Sequence, residues 1–182
     1  LPPDGFIWLE GQTQDYQGEL QVVIQQIAPV DPSPAELEQL LPTTQYDIEQ
    51  MFEELCARLD TLQHEGIKAL AQAYLGDEAL MEKFRKAPAA MTLHHAYLGG
   101  LLEHTLQLLK LADVICPLYP TVNRDLVMMG LFLHDLGKCV ELTWETGFGY
   151  SDDGQLVGHI ARCVIMLQKK VDDVRPFGIE LP

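Results

Sequence analysis

The run Leu131-Phe132-Leu133-His134-Asp135-Leu136-Gly137-Lys138 sets an imidazole and a carboxylate side by side among apolar residues. Burying that pair is costly unless something compensates both groups. A divalent metal does so most economically, since neutral imidazole and carboxylate are ready ligands. A His-Asp hydrogen bond at a helix end is the plainer alternative. Gly137 is placed to end the helix, which would leave the pair where the helix opens. The other histidines tip the balance. His104 lies mid-helix within Gly99-Gly100-Leu101-Leu102-Glu103-His104-Thr105, and His159, after Gly158, lies one turn into the last helix. Three helices thus each bring an imidazole to an apolar stripe, 30 and 25 residues apart, which fits one helix and one connection each. Such convergence points to a metal. Nitrogen and oxygen ligands without thiolate favour Mn²⁺, Fe²⁺, Mg²⁺ or Zn²⁺ with open positions, the arrangement of a catalytic centre. Small residues near the ligands (Gly99, Gly100, Gly130, Gly158) would let helices approach closely. His64, beside Glu65 and Gly66, reads as a solvated loop residue.

The elements that must position these groups are mostly helical. Met51, Phe52, Leu55, Leu59 and Leu62 fall on one face of a helix, and Ile67, Leu70, Ala71, Tyr74 and Leu75 on another that Gly76 closes. Further helices are expected over 77–86, 97–115, 124–135 and 155–171, with a small hairpin or irregular loop over 140–150. Residues 1–30 read as strands: Phe6-Ile7-Trp8-Leu9 and Leu20-Gln21-Val22-Val23-Ile24 flank the turn-like Asp15-Tyr16-Gln17-Gly18. Residues 31–45 read as a linker with a short helix that Ser33 caps and Pro34 enters. Residues 46–182 form the helical domain.

The charge is unevenly spread. Up to Glu82 there are 16 acidic and two basic residues, a balance of −14; from Lys83 onward there are 11 and ten, a balance of −1. An acidic surface repels nucleic acid at long range, so a polyanion would have to be held locally, by a metal and a few cations. Lys83, Arg85 and Lys86 form the tightest basic cluster, a candidate for backbone contact on what is otherwise a solvated helix face. No apolar run is long enough to span a bilayer. Cys56, Cys116, Cys139 and Cys163 lie far apart, as reduced thiols of a cytoplasmic protein do.

The motifs also carry a resemblance. His104 followed by His134-Asp135 resembles the first three metal ligands of the HD superfamily of metal-dependent phosphohydrolases. The longer strings 93–105, Leu118-Tyr119-Pro120, 132–138 and Gly154-Gln155-Leu156-Val157-Gly158-His159-Ile160 are similar to those of the YhaM-type 3′-to-5′ exoribonucleases, which join an OB-fold to an HD domain. Residues 5–30, with Tyr16-Gln17-Gly18-Glu19-Leu20-Gln21, resemble the last part of that OB-fold. The resemblance implies a mainly α fold, an HD-type helical bundle behind a short β remnant. It implies metal-dependent hydrolysis of single-stranded RNA from the 3′ end, with Mn²⁺ the first choice of metal. His104, His134, Asp135 and His159 would hold the metal, and Lys138 would donate to the phosphoryl group. His94 or His95 would contact phosphate or protonate the leaving alkoxide, and Lys83, Arg85 and Lys86 would line the substrate path.

The family carries a further His-His pair and a metal-binding Asp downstream of the last helix here, and its OB-fold has earlier strands. The ligand set within these residues is therefore expected to be incomplete and the sequence truncated at both ends. Asp152, Asp153, Asp172 and Asp173 are possible substitutes for the absent carboxylate, though each reads more simply as a solvated charge. Residues 1–57 contain no Lys or Arg, which suits a scaffold better than an RNA groove. The alternatives are an HD-type enzyme acting on a nucleotide or cyclic dinucleotide, and a non-catalytic metal-binding module. Unpaired strand edges would permit a homo-oligomer.

Overall fold

The computed structural model describes residues 5–33, 36, 39–92, 94–145, 147–175 and 180. It divides into two units, one built on a β-hairpin and reaching residue 41, the other beginning at Pro42 and holding the long helices.

In the first unit β1 (Phe6–Tyr16) and β2 (Glu19–Val30) pair antiparallel from Phe6↔Val30 to Tyr16↔Glu19. The turn is Gln17-Gly18, with φ of 57° and 85°, and Asp15 Oδ1 accepts from Gly18 N–H at 3.1 Å. Two successive positive φ values match the twist of the flanking strands. A bulge falls at Glu10/Gly11, where a Cβ on Gly11 would lie 2.5 Å from Val23 O. The ladder is longer than the apolar runs announce, because backbone pairing continues through the glutamines. Ser33 N–H and Oγ both donate to Glu36 Oε2 (2.8 and 2.7 Å). Pro34, expected to enter a short helix, lies outside the described residues, as do Leu93 and most of residues 176–182.

The second unit runs α1 (Ile48–Asp60), α2 (Glu65–Leu75), α3 (Glu78–Lys86), α4 (Gly100–Ile115), a 3₁₀ turn (Cys116–Leu118), α5 (Arg124–Leu133) and α6 (Lys138–Glu141). It continues through the small hairpin β3 (Leu142–Thr143) and β4 (Gly149–Tyr150) to α7 (Asp152–Leu156) and α8 (Gly158–Val174). Asp47, Asp77 and Asn123 cap α1, α3 and α5 through side-chain oxygens. His64 also serves as a cap, and not merely as a solvated loop residue: its Nδ1 accepts from Gly66 and Ile67 N–H at 3.2 and 3.4 Å.

Helix α4 packs against α1, α3 and α5, and α8 against α2 and α6. The core gathers Leu55, Leu59, Phe84, Leu101, Leu102 and Leu109 around Phe132, which meets Tyr74 and Phe84 edge-to-face at 6.0 and 5.9 Å. Within this core α4 has one apolar side and can turn His104 away from it.

Three helix boundaries differ from expectation, each for a local reason. Helix α4 begins at Gly100 and not near Tyr97: Leu98 bridges to Thr43, and Gly99 is left-handed at φ 79°. Helix α5 ends at Leu133, before the His-Asp pair. The expected last helix is two, because Ser151 caps α7 early and Gly158, at φ 75°, turns the chain into α8. His159 is therefore the second residue of α8.

One buried carboxylate joins the helices. Asp125 Oδ2 accepts from Gln63 and His64 N–H, both at 2.7 Å, and so pins the α1–α2 turn to the start of α5. Asp125→Ala is expected to cost about 2 kcal/mol in urea unfolding, since two backbone donors lose their acceptor. Asp125→Asn, which keeps an acceptor oxygen, is expected to cost less.

Candidate metal centre

The end of α5, the turn into α6, the middle of α4 and the start of α8 meet at Asp135. That carboxylate is 8% exposed. His134 Nε2 lies 3.3 Å and His104 Nε2 3.7 Å from its Oδ2, and the two imidazole nitrogens face each other at 3.4 Å. His159 Nε2 approaches the other oxygen, Oδ1, at 3.6 Å. One ligand atom from each of His104, His134 and Asp135 falls within 4.8 Å of the others. His159 stands just outside that tight set, on the far oxygen.

The hydrogen bonds fix which nitrogens are free. His134 Nδ1 lies 2.8 Å from Leu131 O; a carbonyl only accepts, so Nδ1 carries a proton and, in the neutral ring, Nε2 a lone pair. His159 Nδ1 lies 2.9 Å from the Glu141 carboxylate, which likewise leaves Nε2 as the lone pair. In the neutral rings the lone pairs of His134 and His159 therefore face the Asp135 carboxylate, an arrangement that a cation, or a proton on a ring, relieves. The donor set of imidazole nitrogens and carboxylate fits a divalent ion of the Mn²⁺, Fe²⁺ or Zn²⁺ kind.

The charges agree. Burial pushes the Asp135 carboxyl up, but hydrogen bonds from His134 and Lys138 outweigh it and hold the group well below the usual carboxylate range. Burial lowers His104, with Asp135 only partly opposing, so this ring is ready as a neutral ligand. The hydrogen bond to Asp135 raises His134 against its burial.

Lys138 does not project freely. Its Nζ donates to Asp135 Oδ2 and to Ala89 O, each at 2.8 Å. Ala89 belongs to the loop before α4, which carries the remaining histidines. His95 sits there at φ 59°, its Nδ1 2.8 Å from Tyr97 OH and 3.7 Å from Glu103, and its ring 5.4 Å from that of His104. Glu103 is buried and accepts from Thr44 Oγ1 (2.6 Å) and Gln107 (3.1 Å). Burial and the Glu103 carboxylate push the Tyr97 phenol up to about 12. His94 is exposed.

The structure thus brings together His104, His134, Asp135, His159 and Lys138, with His95 alongside. Two members of the basic cluster are engaged in other pairs. Arg85 pairs with Glu49 (3.0 Å) over the Phe52 ring, Lys86 pairs with Glu82 (3.1 Å), and Lys83 is exposed on α3. The substitute carboxylates do not arrive: Asp153 is held by Arg162 (3.0 Å to Nε), and Asp152, Asp172 and Asp173 are exposed. Sequence reasoning missed Glu141, whose only signal is a lone acid between Val140 and Leu142, and it missed the thiol of Cys163. Cys163 Sγ accepts from Gly137 N–H (3.0 Å) and donates to Leu133 O and His134 O (3.2 and 3.3 Å). Burial raises that thiol, which keeps it a hydrogen-bonding group.

No family model matches the chain, and no solved structure matches it significantly. Curated relatives do. The chain is 33% identical over 169 residues to the 3′-5′ exoribonuclease YhaM of Listeria welshimeri, covering 92% of this chain and 53% of that protein. It is 31% identical over 180 residues to the protein of that name in a Geobacillus species (98% and 55%), and 28% identical over 174 residues to that of Bacillus subtilis (95% and 55%). The chain spans about half the length of the curated relatives it matches. Over the half of their length that it spans, this chain is similar throughout to the 3′-5′ exoribonucleases named YhaM.

Proposed function

We propose that the protein is a metal-dependent phosphodiesterase of the HD type that removes nucleotides from the 3′ end of single-stranded RNA. In this reading residues 46–182 form the HD-type helical domain, residues 31–45 a linker, and residues 1–30 strands of an OB-fold. The observation that carries it is the convergence of the ring nitrogens of His104, His134 and His159 on the buried Asp135 carboxylate at the opened end of α5.

His104, His134 and Asp135, with His159, would hold the ion, Mn²⁺ by first choice. When bound, it supplies Lewis acidity, polarising a phosphoryl oxygen and making water more acidic. Water oxygen bonds to phosphorus, the P–O3′ bond breaks, and the proton ends on the O3′ alkoxide, leaving a 5′-nucleotide and a shortened chain. His95, whose Nδ1 is fixed by Tyr97, is placed to hold the proton for that alkoxide. Lys138 keeps positive charge beside Asp135, where anionic phosphate would enter. The local cations answer the overall acidity, since steering of RNA from a distance is unfavourable at a net charge of −15. Among the described residues no helix is long and apolar enough to cross a membrane, and a cytoplasmic site of action accords with that.

The test is chelation followed by Mn²⁺ return, with 5′-labelled single-stranded RNA as substrate. Activity is expected to vanish with EDTA and return with Mn²⁺, giving products shortened from the 3′ end. Helical circular dichroism is expected to survive, because the core residues do not use the metal. Turnover of mononucleotides or cyclic dinucleotides alone would favour the small-substrate reading. A filled metal site without hydrolysis of either would favour the binding module.

A further inference from the structure

Glu141 is buried, yet the proposed reaction gives it no role. Its carboxylate engages His159 twice: it accepts from the backbone N–H of His159 at 3.1 Å and meets the ring Nδ1 at 2.9 Å. The backbone that carries this side chain is itself held. Glu141 N–H donates to Gly137 O (3.0 Å), its carbonyl accepts from Ser151 N–H (2.9 Å), and Ser151 Oγ donates to Val140 O (2.7 Å). A Cβ on Gly154 would lie 2.3 Å from the Glu141 carbonyl oxygen, so α7 closes tightly over this residue. A side chain so fixed determines both the tautomer of His159 and the direction of its ring. The ring's other nitrogen then faces Asp135 Oδ1.

We propose that Glu141 is a positioning residue that aims the Nε2 lone pair of His159 at the metal centre and makes it a ligand. A carboxylate behind a ligating histidine fixes its orientation and raises its basicity. The inference rests on the metal reading above, and goes beyond it by assigning the group that brings α8 into the centre. Its competitor is a purely structural role, in which Glu141 caps the first turn of α8 through the backbone N–H.

The experiment is calorimetric titration with Mn²⁺ alone of the wild type, Glu141→Ala, Glu141→Gln, His159→Ala and the double variant Glu141→Ala/His159→Ala. Thermal unfolding of each metal-free protein is followed in parallel. Glu141→Ala and His159→Ala are each expected to weaken Mn²⁺ binding roughly 10- to 100-fold. The double variant is expected to bind about as His159→Ala does, because both act through one ring. Glu141→Gln keeps an acceptor for Nδ1–H and is expected to recover most of the affinity. If Glu141→Ala does not fold, Glu141→Asp, which shortens the reach, is expected to show the loss. Three results would overturn the proposal: wild-type affinity in Glu141→Ala or, where that variant does not fold, in Glu141→Asp; losses that add in full with His159→Ala; or no recovery in Glu141→Gln. If the wild type itself takes up no Mn²⁺, the metal reading falls and takes this one with it. If the wild type binds and Glu141→Ala binds equally, only the positioning role falls.

Discussion

Asp135→Asn is expected to leave the protein folded and without usable affinity for a divalent cation. The substitution is nearly isosteric, so the packing of α5 and α6 persists, but the negative charge that faces three imidazoles and a lysine is gone. Among the described residues, Asp135 is the one approached by His104, His134, His159 and Lys138 together. An amide also presents an NH₂ to the ring nitrogens, where a carboxylate offers only acceptors. Loss of a charged ligand from a Lewis-acid centre costs several kcal/mol of transition-state stabilisation, about 10³-fold or more in rate. Mn²⁺ titration and RNA hydrolysis check the two halves. Binding and turnover at wild-type levels would remove Asp135 from the centre.

Gly137→Ala is expected to damage both stability and metal binding, although Gly137 touches no ligand through a side chain. A Cβ there would lie 2.4 Å from His159 O, 3.1 Å from His159 C and 3.0 Å from Cys163 Sγ. Two of these three atoms belong to backbone and cannot rotate away, so α8 must shift by several tenths of an ångström. Overpacking of this kind costs about 1–3 kcal/mol, and for a protein of this size each kcal/mol lowers Tm by about 2–4 °C. His159 moves with α8, so Mn²⁺ affinity is expected to fall in the same variant. Gly130 provides the control. It is exposed in the middle of α5, with nothing near the position of a Cβ, and Gly130→Ala is expected to be neutral or to stabilise by up to about 1 kcal/mol. A Gly137→Ala protein as stable as wild type would mean that the approach of α8 is looser than the distances indicate.

These two glycines also mark where the sequence could be read and where it could not. Helices α1 to α5 follow from apolar periodicity, with Asp47, Asp77 and Asn123 where caps are needed, because periodicity and capping are local. That His104, His134 and Asp135 meet was legible because three imidazoles on apolar stripes have few other uses. Which glycine lets the helices approach was not. Gly130 reads as a contact residue but faces open space, whereas Gly137 reads as a helix stop and adopts an ordinary helical φ of −60°. Its need for a missing side chain comes from α8, more than twenty residues later in the chain. Glu141 was illegible for the same reason: its partner is fixed only when Gly158 turns the chain back. Nor does composition disclose pairing: Glu49 and Glu82 pair with Arg85 and Lys86.

The grip of Lys138 on Ala89 O carries a mechanical corollary. The same ammonium holds Asp135, so the segment bearing His94 and His95 is leashed to the residue on which the histidines converge. That segment is also fastened at its far end, where Gly99 N–H donates to Lys86 O and Leu101 N–H to Ala87 O. Any shift of this strap would therefore move the ammonium beside Asp135 and change the charge that the surrounding ring nitrogens meet.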